Sequence, residues 1–245
     1  MTRRRWIAVG VVAVILCAIG IGILVSHRGG DAPSPAASPR VEGHRGLTTE
    51  EAERLSVARF LAYRDGSRRF EVDVDTPDGT VELRGRVDYR TGVGIATAAL
   101  SGGTAVVTWD ADAVVGWVGA GDGTTVPDAP PPSPGAARPL DPSASTVDAV
   151  LVLLASLGAD RPENAQLLAS SDARRLRADE VDGTPVDVFA GPSDPDTGEG
   201  AGTTRFWVDG SGTLLRFEAD LPSGTVSILL RPEQYVAVPR APDLD

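Results

Sequence analysis

The chain has no lysine, one cysteine, one methionine and two histidines among its 245 residues, and only 5% of it is aromatic. All 23 basic residues are therefore arginine, a bias that fits GC-rich coding better than any chemical need. A lone Cys17 excludes an intramolecular disulfide. His27 and His44 both fall in a Pro- and Ala-rich stretch ahead of the folded region, so that region lacks a histidine base or metal ligand. With Cys17 inside an apolar run, no thiol nucleophile or zinc cluster is available either. No G-x-S-x-G elbow, phosphate-cradling Walker loop or G-x-G-x-x-G fingerprint occurs. Positive charge is in deficit, with a net charge of −11 and a pI near 4.7, which argues against a nucleic-acid partner because phosphate neutralisation needs a basic face. Apolar residues nevertheless make up 42% of the chain, too many for a disordered protein, while 28 Gly and 19 Pro are too many for a long-helix protein.

The long hydrophobic run is at the start. Arg3, Arg4 and Arg5 precede Trp6 to Val25, a stretch without a charge or a proline. Such a helix spans roughly 30 Å at about 1.5 Å per residue, the thickness of a bilayer's hydrocarbon core. The apolar region of a cleaved signal peptide is shorter and ends at an A-x-A-like site, whereas Ser26-His27-Arg28-Gly29-Gly30 follows here. We therefore read a single membrane anchor at 6–25, a cytoplasmic tail at 1–5 set by the positive-inside rule, and everything after it outside the cell membrane. Val14-Ile15-Leu16-Cys17 has Leu16 where a lipobox has a small residue, and Cys17 is read as a small apolar side chain of the anchor. Residues 26–46 are a disordered linker of Gly, Pro, Ala and Ser. The first 30 residues hold four of the 23 arginines and no acid, so the outside part sets 19 basic against 34 acidic residues and repels anionic head groups.

The remainder, 47–245, reads as an extracytoplasmic α+β domain. Thr48 and Glu51 make a capping box before a helix of about 15 residues with Ala52, Leu55, Ala58, Leu61 and Ala62 on one face. The period then changes to two. Phe70, Val72 and Val74 alternate with Glu71, Asp73 and Asp75, and after the turn at Pro77-Asp78-Gly79 so do Val81, Leu83, Val87 and Tyr89 with charged residues, giving a hairpin with one wet face. Strands follow at about 93–100, 104–109 and 114–118. Residues 119–145 are a Pro/Gly-rich loop. Thr146 to Leu157 is an apolar, buried helix stopping at Gly158 as at a C-terminal glycine. A weaker helix spans 162–170, and strands return at 174–181, 184–189, 203–209, 213–220 and 225–230, with Leu215, Phe217 and Ala219 on one phase. Helices covering one face of a large antiparallel sheet follow from this order.

Leu176-Arg177-Ala178-Asp179-Glu180-Val181-Asp182-Gly183-Thr184-Pro185-Val186 and Thr204-Arg205-Phe206-Trp207-Val208-Asp209-Gly210-Ser211-Gly212-Thr213-Leu214-Leu215-Arg216 resemble the paired hairpins of the LppX/LprG-type envelope lipoproteins and the wider LolA-like group. The resemblance implies a curved antiparallel half-barrel wrapped around helices and an acyl-chain or lipid ligand held between sheet and helices; apart from it, we expect envelope proteins among the partners and no cofactor. The expected lining is Phe70, Val72, Val74, Leu83, Val87, Leu215, Phe217, Val226 and Ile228 on the strands, with Val150 and Leu154 opposite; the same residues would also make an ordinary packed core. A non-catalytic scaffold with an exposed strand edge is the alternative function. A third is a hydrolase using Asp73 with Asp75 or Asp110 with Asp112. Asp194-Pro195-Asp196-Thr197-Gly198-Glu199 is similar to a calcium loop but has Arg205 where an EF-hand needs Glu, and we expect no metal.

Overall fold

The computed structural model describes residues 45–193 and 202–241. The anchor at 6–25, nearly all of the linker, Cys17, both histidines and the segment 194–199 lie outside these residues.

Local signals account for most of the elements. β1 (Arg45–Gly46) leads into α1 (Thr49–Asp65). There Thr48 Oγ1 accepts from Glu51 N at 3.3 Å and Thr48 N donates to Glu51 Oε2 at 2.9 Å, the reciprocal capping box expected from the sequence. A first meander follows: β2 (Ser67–Thr76), β3 (Gly79–Asp88), β4 (Val93–Leu100), β5 (Gly103–Trp109), β6 (Ala113–Val118) and β7 (Ala136–Pro139). Helices α2 (Thr146–Ser156) and α3 (Ala165–Ser170) come next, and a second meander closes the order with β8 (Arg174–Val181), β9 (Thr184–Ala190), β10 (Thr204–Asp209), β11 (Leu214–Leu221) and β12 (Gly224–Pro232). In the β8–β9 turn Asp182 and Gly183 take φ of 47° and 81°, the left-handed pair that a two-residue hairpin needs.

The described strands form one open, curved antiparallel sheet in the order β1-β8-β9-β10-β11-β12-β2-β3-β4-β5-β6-β7. The last strand of the second meander pairs with the first of the first, Ile228 opposite Val72, and so joins the two. Alternation puts one residue in two on the inner face, under the helices. A register row there runs Phe189, Phe206, Phe217, Ile228, Val72, Leu83, Ala98, Ala105, Val118, from three phenylalanines to alanines to an exposed valine. α1 rests over β2, β10 and β11, and α2 over β2 and β3.

Three features go beyond the sequence pattern. The outer face is wet on β2 and at Glu82 of β3, as expected, but on β4 to β6 it is not: Val93, Ile95, Val106, Val115 and Trp117 form a second apolar cluster with Val238 and Ala241. It is covered by part of the 119–135 loop, where Trp117 Nε1 donates to the Ser133 carbonyl at 2.7 Å, and by the C-terminal tail. The 119–145 stretch itself contributes β7, whose Ala137 pairs with Val115. Thirdly, α2 ends on Leu157 in ordinary helical conformation, and Gly158 serves a close approach: a Cβ there would sit 2.4 Å from the Tyr89 ring.

Candidate functional site

Ten of the eleven residues expected to line the space between helices and sheet share one buried cluster: Phe70, Val72, Val74, Leu83, Val87, Val150, Leu154, Phe217, Val226 and Ile228. None is more than 5% exposed. Leu215 is the exception. It belongs to an outer-face cluster with Val181, Val186, Val188 and Trp207, and Leu214 takes the inner place beside Phe217. The reason is a bulge: Trp207 pairs with Arg216 but Val208 pairs with Leu214, so one extra residue of β11 reverses the alternation before Phe217.

The two hairpin motifs serve packing. Arg177 and Arg216 lie 5.7 and 4.9 Å from the centroid of Trp207, and Trp207 Nε1 donates to Asp179 Oδ2 at 2.9 Å. That bond from Trp207 comes first among the contacts that hold the Asp179 carboxyl below its ordinary range. At the β10–β11 turn Asp209 Oδ1 accepts from Ser211 N and Thr213 N, and Gly212 passes under α1, where a Cβ would sit 2.7 Å from Val57.

The carboxylate pairs are also engaged in structure. On the outer face of β2, Asp73 stands opposite Glu82, and Asp75 accepts from Thr80. Asp110 caps the β5–β6 turn by accepting from Asp112 N and Ala113 N, and it pairs with Arg240. Among the described residues no group of three or more His, Cys, Asp or Glu is placed to hold a metal ion.

A cavity of about 500 Å³ opens at one end of the helix–sheet layer. Thr76 to Val81 of the β2–β3 hairpin, Leu100 and Ser101 of the β4–β5 hairpin, and Ala144 to Val147 at the start of α2 line it. Val81 and Leu100 stand on the inner-face phase, two residues along from Leu83 and Ala98, at the rim of the buried cluster. Its helical wall is fixed by charge. Burial pushes the Asp148 carboxyl up, but the Arg138 hydrogen bonds, aided by Asp141 N–H and Ser145, outweigh this and hold it below its ordinary range.

The other end of the layer holds residues that the apolar pattern passed over. Arg68 stands on the inner face in phase with Phe70, Val72 and Val74, and is buried. At the same end, Tyr89 and Trp109 belong to the buried cluster, Trp109 in the same register row as Arg68 and against the Phe70 ring. Arg68 Nη1, the Tyr89 hydroxyl and Trp109 Nε1 are each shielded and, among the described residues, without a hydrogen-bond partner. The legible signal was Arg68 itself, an arginine on the apolar phase of a strand.

No family model matches the chain, and no curated protein matches it. Among solved structures it is similar to LprF from Mycobacterium bovis, at 14% identity and a TM-score of 0.46 over 80% of this chain and 99% of that one. It is similar to lipoprotein LppX from Mycobacterium tuberculosis at 15% identity and 0.41, over 75% and 93% of the two chains. A lipoprotein-sorting protein domain of the outer membrane from Vibrio parahaemolyticus follows at 11% and 0.28, over 74% and 88%. LppX, for which the group resembling the two hairpins is named, is thus among the structural neighbours. Among the described residues no helix is long and apolar enough to cross a membrane.

Proposed function

We propose that this chain is an extracytoplasmic protein of the cell envelope, tethered by residues 6–25, that holds an acyl chain of a lipid or lipoprotein between α2 and the inner face of the sheet. The observation that carries the reading is the cavity of about 500 Å³ at the end of that layer, whose lining includes the apolar side chains of Val81, Leu100 and Val147. A hydrocarbon chain entering there would leave water for apolar surface at about 25 cal/mol per Å² of area removed. The layer beneath is filled, so the chain would have to displace α2, whose Val147, Val152 and Leu153 are only half-buried. The tether suits local transfer, since a protein fixed by a membrane helix does not diffuse between membranes. No catalytic step is part of this reading.

The filled core favours a second reading, a non-catalytic scaffold for an envelope complex. Its docking element would be the edge of β8, which among the described residues is paired by β1 at Arg174 and Arg175 alone. Uptake of a phosphatidylcholine with a fluorescent acyl chain, from zwitterionic phosphatidylcholine vesicles into residues 47–245, separates the two. The acyl reading expects uptake that Ala98→Trp or Ala105→Trp blocks. No uptake by the parent domain leaves the scaffold.

A further inference from the structure

We propose that Arg68, Tyr89 and Trp109 form a buried receptor for the carboxylate at the polar end of a free fatty acyl chain. This rests on the acyl-binding reading above and adds which end of the ligand goes where.

The three side chains are 2%, 6% and 0% exposed, and each keeps one buried polar atom unpaired. They converge on Val87. Arg68 is its partner across the β2–β3 ladder, and Tyr89 lies two residues beyond it on the same side. Trp109 reaches toward it from β5, because Gly94, which stands between them in register, has no side chain. A Cβ on Gly94 would lie 2.2 Å from the indole, and the indole meets the Phe70 ring edge-on at 6.0 Å. Gly158 makes the same allowance for the Tyr89 ring. Two glycines thus let two aromatic rings bring their polar atoms into an apolar layer, where no described residue accepts from them.

The donor set selects the ligand. An arginine Nη and an indole N–H only donate, and a protonated phenol donates readily, so the complementary group is an acceptor oxygen. Burial pushes the Tyr89 hydroxyl up, partly offset by Arg68 and Arg59, so it keeps its proton at neutral pH. Asp65 accepts from Arg68 Nη2 at 2.7 Å and also from Arg64, which leaves Arg68 Nη1 as a cationic donor that suits an anionic oxygen. Length agrees as well: β2 from Arg68 to Thr76 covers about 26 Å at about 3.3 Å per residue, more than the roughly 15 Å that acyl chains of one leaflet span. A chain whose oxygen end sits on the three donors therefore runs toward the rim cavity inside the layer.

The test uses the full chain in isolated bacterial membranes, with two photoactivatable probes: palmitic acid carrying a mid-chain diazirine, and a hydrocarbon of equal length carrying the same diazirine. Adducts are mapped by mass spectrometry in the parent chain and in Tyr89→Phe, and the melting temperature of each is taken without probe. The proposal expects the acid to label β2, β3 and α2 in preference to the hydrocarbon. It expects Tyr89→Phe to reduce that preference about tenfold, as loss of one hydrogen bond to a charged group does, while melting no lower than the parent. Equal interior labelling by both probes, unchanged in Tyr89→Phe, overturns the receptor and leaves acyl binding standing; no interior labelling by either overturns both.

Discussion

Arg138 on β7 grips Asp148 on α2 with both ends of its guanidinium, at 2.5 and 2.7 Å. The carboxylate is fully buried while the arginine is half exposed. The pair ties the last strand of the first meander to the helix that walls the rim cavity, and its two halves are not equivalent.

Removing the arginine strands a buried carboxylate, whereas neutralising the carboxylate leaves a cation already in water. Arg138→Met is expected to lower the unfolding free energy by about 3 kcal/mol, and Asp148→Asn by nearer 1 kcal/mol. Urea unfolding of the two variants measures the difference, and equal losses would contradict the asymmetry.

The C-terminal tail acts as a strap. Glu233 accepts from the buried Arg86 at 2.6 Å and from Arg69 at 2.9 Å, Val236 N donates to Ser67 Oγ, and Val238 and Ala241 cover the outer apolar cluster. A chain ending at Pro232 is expected to lose more than about 3 kcal/mol, since it orphans Arg86 and uncovers Val93, Ile95 and Trp117. Dye binding to exposed apolar surface, with calorimetry, reads both effects.

Acid should weaken the junction of α1 with the sheet edge. The Arg45 hydrogen bond, helped by Thr48 against the effect of burial, lowers Glu51 from about 4.5 to about 2. A carboxyl depressed on folding contributes stability that is complete above its unfolded pKa and disappears as pH falls through the folded one. The loss attributable to Glu51 is therefore expected between about pH 4.5 and 2. Glu51→Gln should flatten the stability profile in that window and leave its neutral limb parallel to the parent's.

Leu215 and Phe217 have the same phase in sequence but lie on opposite faces of the sheet. Phe217→Ala is expected to cost about 4 kcal/mol and Leu215→Ala about 2 kcal/mol, measured by urea unfolding. A chain held between α2 and the sheet should protect residues around Leu83 on β3 from labelling and leave Leu215 unaffected.

Legibility followed periodicity. Capping boxes, Asp-Gly turns and strict alternation are local, so α1, the β2–β3 hairpin and the second meander lie where their residues indicate, and ten of the eleven residues read as one apolar face share one buried cluster. Leu215 was misplaced because a bulge needs the partner strand to reveal it. The outer cluster was hidden because β4 is buried on both faces from Val93 to Ala98 and so does not alternate, while its covers, the 119–135 loop and the tail, have no period of their own. β7 is four residues held mainly by its pairing with β6, a long-range cause. Arg68 was visible as a charge on an apolar phase, but its convergence with Tyr89 and Trp109 depends on two glycines and a register across four strands.

The account stands or falls on whether an acyl chain occupies the layer between α2 and the sheet. Native mass spectrometry of residues 47–245, purified from a bacterial envelope, tests this most directly. The account predicts a lipid-sized mass on a substantial fraction of the parent domain and its loss in Ala98→Trp; a parent domain that flies at its bare mass, with no lipid recovered on denaturation, would contradict it.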